Sequence, residues 1–253
     1  GSPCIDAGLN TAMRMRTDYV GNPRFVHGIV DIGPCEYQGP FDPPVWYVDD
    51  DAPAAGNGTS WSQAFPSLQG ALGRAETGDE IRLGAGVYRP PLRNPAAARE
   101  ATFVIDRDVV IRGGYAGLGA VDPDSRDIIQ FQTILSGDLA ENDIGLSDPC
   151  QLHFHATRRD NAYHVLTMRA SAMLEGLTIT GGIANLEGGG WGPIYHDRGG
   201  ALYVEAGDPV LRDCFIVENA ALHLGAGIHV AGNSFPSVSN CRFYQNDGDA
   251  VCG

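Results

Sequence analysis

Between residues 199 and 246 one alternation of apolar and polar positions is written twice. The first copy runs Gly199-Gly200-Ala201-Leu202-Tyr203-Val204, then Pro209-Val210-Leu211-Arg212-Asp213-Cys214-Phe215-Ile216-Val217-Glu218-Asn219. The second runs Gly225-Ala226-Gly227-Ile228-His229-Val230, then Pro236-Ser237-Val238-Ser239-Asn240-Cys241-Arg242-Phe243-Tyr244-Gln245-Asn246. Cys214 and Cys241 stand 27 positions apart, as do Asn219 and Asn246. The apolar runs are short, and glycine or asparagine interrupts them too often for a helix to persist. Short strands joined by turns at a fixed period predict coils that stack on one another, a solenoid of parallel strands.

The same pattern extends upstream with stretched spacing. Met173 to Gly182 is a further copy, and the Gly-rich stretch 183–198 after it is expected to leave the stack as a loop. Strands are also predicted at Val45–Val48, Ile81–Leu83, Gly86–Tyr88, Thr102–Ile105, Val109–Ile111, Gln132–Leu135 and Tyr163–Leu166. One helix is expected, capped by Ser60 or Ser62 and running to about Ala75, with Phe65, Leu68, Leu72 and Ala75 on one face. Laid across the first coil, it would cover the apolar end that a terminal solenoid unit exposes. Residues 139–160 form a second large loop insertion. Residues 1–40 read as a separate Gly/Pro-rich segment bracketed by Cys4 and Cys35, which are expected to pair, and 41–253 as the solenoid. Gly39 to Pro44, with three prolines and no periodicity, is the linker between them.

Composition narrows the function classes. A net charge of −14 argues against a nucleic-acid partner, which requires a basic patch. The 34 glycines and 16 prolines make the chain turn-rich, while 43% hydrophobic residues exclude disorder. Six cysteines without a CxxC pair argue against a zinc ribbon and for an oxidising compartment, hence an extracellular or cell-surface location. No apolar stretch is long enough for a transmembrane helix.

Several stretches resemble secreted right-handed parallel β-helix proteins, the pectate-lyase-fold and polymorphic-outer-membrane-protein-like proteins of planctomycetes and other environmental bacteria. The resemblance is carried by Tyr47-Val48-Asp49, Asn57-Gly58-Thr59-Ser60-Trp61, Gly78-Asp79-Glu80-Ile81, Gly86-Val87-Tyr88, Ile111-Arg112-Gly113-Gly114-Tyr115, Thr133 to Asp138 and Leu177 to Gly182. It covers residues 45–252 and implies the fold far more than any activity. Pro3-Cys4-Ile5-Asp6-Ala7-Gly8, Gly21-Asn22-Pro23-Arg24, Val30-Asp31-Ile32-Gly33 and Glu36-Tyr37 resemble the segment that normally closes such a helix at its C-terminal end. Where that segment would carry alanine before Glu36 this chain has Cys35, which supports pairing with Cys4. The closing segment therefore comes first, and Val251 and Cys252 stand at the threshold of another coil. Two explanations stay open. The sequence is a piece of a longer protein, or residues 1–40 of one subunit cap the open end of the next, a heterologous contact that builds filaments.

Candidate chemistry is sparse. Asp49, Asp50 and Asp51 are the candidate calcium ligands, although such a site draws its oxygens from several turns. Trp191, Tyr195 and His196 are the candidate glycan contact. His153 and His155 share one side of any strand and are a candidate metal pair. Cys214 and Cys241 stack in adjacent coils as a disulfide or as free core thiols, and Asn219 with Asn246 is expected to form an internal ladder at a turn. Asp213 matches Asn240 and Glu218 matches Gln245, which favours a repeated face over a unique site. No catalytic constellation emerges, and an enzyme is not the expectation. The reading is an all-β right-handed parallel β-helix that builds a fibre or surface layer with copies of itself through Cys4, Cys35, Val251 and Cys252; the alternative is a polysaccharide-binding or polysaccharide-degrading β-helix.

Overall fold

Columns of inward-facing aliphatic side chains set where the strands form. The computed structural model describes residues 33–35, 43–92, 94–186 and 196–248. The chain divides into two compact units, Gly1–Pro43 and Pro44–Gly253. The described strands all belong to the second unit, and every pairing between them is parallel.

The first sheet stacks β1 (Val45–Val48), β2 (Glu80–Gly84), β5 (Val110–Tyr115), β8 (Met173–Glu175), β12 (Val210–Arg212) and β16 (Ser237–Ser239). The second stacks β3 (Gly86–Tyr88), β6 (Thr133–Ser136), β9 (Thr178–Thr180), β13 (Phe215–Val217) and β17 (Arg242–Tyr244). The third holds β4 (Phe103–Ile105), β7 (Leu166–Met168), β11 (Leu202–Val204) and β15 (Ile228–Val230), and a short fourth holds β10 (Ile183–Ala184), β14 (Ala220–Ala221) and β18 (Asp247–Gly248). Successive strands enter different sheets, and each pairs with its counterpart one coil away. That is a stacked solenoid of the parallel β-helix kind.

Register runs through the whole stack. Ile81, Ile111, Leu174, Leu211 and Val238 form one inward column, and Tyr88, Leu135, Ile179, Ile216 and Phe243 form another. In the third sheet Phe103, Leu166, Leu202 and Ile228 are aligned. Burying an aliphatic side chain of this size contributes about 1.5–3 kcal/mol. Here even the outward positions Thr167 and Tyr203 are buried, as befits a parallel sheet covered on both faces.

The coils turn at corners in the left-handed region. Gly176, Asp213 and Asn240 occupy one corner (φ 68°, 54°, 52°), and Gly181, Glu218 and Gln245 the next (φ 76°, 53°, 51°). Side-chain-bearing residues are uncommon there, so their recurrence at one position in each coil marks a geometric requirement. Inside the second corner Asn219 Nδ2 donates to the carbonyls of Ile179 and Val217, both at 3.0 Å. Its Oδ1 accepts from the Gly182 amide at 3.0 Å, and its own amide donates to Asn246 Oδ1 at 3.1 Å. The backbone here approaches closely: a Cβ on Gly182 would lie 1.8 Å from the Gly200 carbonyl oxygen.

Three expectations are corrected. The helix expected from Ser60 or Ser62 to Ala75 is instead a 3-10 turn at Trp61–Gln63 and a short helix α1 (Leu68–Leu72). Pro66 disfavours helical backbone at Phe65, which bridges Val48 as extended chain, and Ser67 caps α1 by accepting from the Gly70 amide. Leu68, Ala71, Leu72 and Ala75 all join the main core. The strand expected at Tyr163–Leu166 begins at Leu166, because the Tyr163 amide donates to the Arg99 carbonyl and the His164 ring is bonded to the Gly199 carbonyl. Cys35 is an exposed free thiol, so the Cys4–Cys35 disulfide is not formed; nothing in the spacing of two cysteines enforces the approach that a disulfide needs. Among the described residues no helix is long and apolar enough to cross a membrane.

Candidate functional site

Where β6, β9 and β13 end at the second corner, the segment after β6 folds back over them and borders an open polar pocket of about 220 Å³. Ser136 and Thr180 enter it from strand ends, Glu218 from the left-handed corner, and Asp138, Asp143 and Arg158 from the folded-back segment. Arg158, at the end of the 3-10 turn Ala156–Arg158, is almost wholly buried. Its Nη1 donates to Asp143 Oδ2 at 2.8 Å, and its Nη2 to Glu218 Oε2 at 2.5 Å and to the Ile144 carbonyl at 3.0 Å. Asn161 Nδ2 also donates to Asp143 Oδ2, at 2.8 Å. Asp138 accepts from the amides of Asn142 and Asp143, which bends the segment inward.

The electrostatics are uneven. Burial pushes the Asp143 carboxyl up to about 6, against the lowering influence of the Asn161 hydrogen bond and the Arg158 charge. Asp138 and Asp160 add to the rise. Asp143 Oδ1 and Arg158 Nε are buried without a hydrogen-bond partner. Two carboxylates thus share one guanidinium, and a hydroxyl-rich or cationic ligand is the kind that this excess of acceptors suits. The sequence signal was weak: Arg158-Arg159 is a lone basic pair inside an acidic loop.

The residues singled out from sequence fall in several places. The carboxylate oxygens of Asp49, Asp50 and Asp51 lie within 4.8 Å of one another, a spacing compatible with a divalent cation such as calcium. Much of that oxygen is already used. Asp49 accepts from the amides of Asp51 and Leu118 at 3.1 and 2.7 Å, and Asp50 from that of Val87 at 2.8 Å. His153 and His155 are the pair expected on one side of a strand. Neither lies on a strand; His153 faces Asp247 at 3.4 Å and His155 bonds Thr157 at 2.9 Å. Trp191, Tyr195, Cys4, Val251 and Cys252 lie outside the described residues. His196 stacks on Tyr163 and sits 3.2 Å from His164, whose imidazole burial pushes down to about 3. Cys150 is disulfide-bonded, whereas Cys214 and Cys241 are free.

The last described coil presents a different surface. Val238 stacks on Leu211 and Phe243 on Ile216, yet Val238 is 44% and Phe243 47% exposed, whereas the residues beneath them are fully buried. Phe235 and Tyr244 are exposed beside them. Among the described residues β16 and β17 are edge strands. Compared with known families, with characterised proteins and with solved structures, this chain matches no family model, no protein and no structure.

Proposed function

We propose that this chain is a structural unit of an extracellular fibre or surface layer, in which residues 1–40 of one copy cover the open last coil of the next. The reading takes the β-helix as right-handed, as nearly all parallel crossovers are, with α1 as its fixed cap. The observation that carries it is the exposure of Val238 and Phe243, which continue two core columns with no strand stacked on them among the described residues. An open parallel edge with an apolar end face is a template for association unless it is covered. The resemblance of residues 1–40 to a closing segment supplies the occupant, and their organisation as a separate unit supports it.

Light scattering with negative-stain microscopy tests this reading. Filaments that disappear on deletion of residues 1–40, and that weaken in Val238→Asp and Phe243→Asp, are the expected result. A monomer that persists at high concentration, in the presence and absence of reductant, overturns it.

The Arg158 pocket favours a second reading, binding of an extracellular polysaccharide, because Asp143 and Glu218 flank one arginine beside a small polar cavity. Titration with neutral and acidic oligosaccharides, followed at the Asp143 and Glu218 side chains by NMR, decides it. No perturbation at millimolar sugar removes this reading. Calcium at Asp49, Asp50 and Asp51 would accompany either role.

A further inference from the structure

The last two coils place Cys214 and Cys241 at one position, immediately before β13 and β17, whose register sets Phe215 against Arg242. The Cys214 amide donates to Cys241 Sγ at 3.4 Å. Adjacent strands lie about 4.8 Å apart, inside the Cα separation of about 4.4–6.8 Å that a disulfide spans. Both are free thiols, but their surroundings differ. Cys214 is buried in the main core with its S–H directed at the Arg212 carbonyl, 3.2 Å away. Cys241 is half-buried on the last described coil, with its S–H directed at the Ser239 carbonyl at 3.3 Å.

We propose that Cys214 and Cys241 form a thiol–disulfide site, Cys241 attacking and Cys214 resolving, whose oxidation staples the last described coil to the coil beneath it. Access assigns the roles, since a small disulfide reaches the half-buried sulfur and not the core one. The proximity of the two thiols reinforces this order, raising Cys214 above the ordinary thiol range and lowering Cys241 below it. With oxidised glutathione as oxidant, the Cys241 thiolate attacks one of its sulfurs, forming a mixed disulfide and releasing one glutathione thiol. Cys214 then gives up its proton and attacks Cys241 Sγ, which forms the protein disulfide and expels the second glutathione thiol. Two protein thiols are oxidised and one glutathione disulfide is reduced.

The staple acts where the fold is least secured. The side chains of β16 and β17 are exposed along their length, and elements with so few buried apolar contacts open first. The inference does not depend on self-association, because the bond lies within one chain.

The test equilibrates the full chain across glutathione redox buffers, quenches with acid, alkylates and maps the peptides, with the Cys150 disulfide as internal control. A Cys214–Cys241 linked peptide is expected in the oxidising buffers. Amide exchange at Val238 and Phe243 should slow at least tenfold relative to the reduced chain. Cys214→Ser should hold a stable glutathione adduct on Cys241, and Cys241→Ser should leave Cys214 reduced. Full alkylation of both thiols in the most oxidising buffer overturns the proposal, as does a persistent adduct in the unsubstituted chain. A linked chain whose last coil exchanges no more slowly overturns the staple. These mapping and exchange results decide the question even if a cysteine variant fails to fold.

Discussion

Arg158 reaches Glu218 across 60 residues of sequence and bonds it at 2.5 Å, joining the folded-back segment after β6 to a corner of the solenoid. Arg158 is buried while the two carboxylates that it serves belong to different parts of the chain. Replacing it with Met keeps the volume and leaves two acids without their counter-charge. Breaking a buried pair in this way costs about 3–5 kcal/mol. Urea denaturation of Arg158→Met should show a loss in that range, and a loss below about 1 kcal/mol would mean that the ion pairs are solvated.

The pH response of the same cluster has a definite sign. The Asp143 carboxyl is held near 6, above its ordinary value, by burial. The folded chain therefore binds that proton more tightly than the unfolded chain, and protonation favours folding. The contribution is fully present below about 4, the unfolded value, and is lost as pH rises through about 6. Asp143→Asn should flatten this part of the stability profile between those limits. An identical profile in the variant would assign the dependence to other groups.

Asn219 should matter more than its counterpart Asn246. It satisfies two carbonyls and one amide inside the stack, all buried, whereas Asn246 serves the Ile216 carbonyl and the Asn219 amide of the coil beneath and the Tyr244 carbonyl of its own, more exposed coil. Each buried group left unsatisfied costs about 1–3 kcal/mol. Asn219→Ala should lose roughly 3 kcal/mol or more by chemical denaturation, and Asn246→Ala distinctly less. Equal losses would show that the last coil is as well buried in solution as the one beneath it.

Asp49 offers a direct comparison between a structural and a cation-binding carboxylate. Its two oxygens already accept from backbone amides, one of them that of Leu118 in a distant loop. Asp49→Ala should cost about 1–3 kcal/mol in the presence of a chelator. A loss that appears only with calcium present would identify the carboxylates as a true cation site.

How far the sequence revealed the fold depends on how local the signal was. The stack was legible because adjacent coils repeat Cys214 at Cys241 and Asn219 at Asn246 without insertions, so period and register could be read together. The helix was overextended because its apolar face runs unbroken through Phe65 and Leu68, while Pro66 between them divides extended from helical backbone. The Arg158 pocket was not legible. Asp143, Arg158 and Glu218 come together through a segment without periodicity, and the equivalence of Glu218 with Gln245 pointed to a repeated face. The structure accounts for both facts: the two share a corner conformation, and Glu218 alone of the pair meets an arginine.

The corners at Asp213 and Asn240, and at Glu218 and Gln245, repeat their φ angles to within a few degrees. A segment copied once more from this region would find the same corners, the same inward columns and the same asparagine site awaiting it. The number of coils in such a solenoid is an inherited variable, changed by duplicating or losing whole coils without redesigning a core. Selection can then adjust reach independently of stability per coil, while loops such as that carrying Arg158 diverge on an unchanged axis.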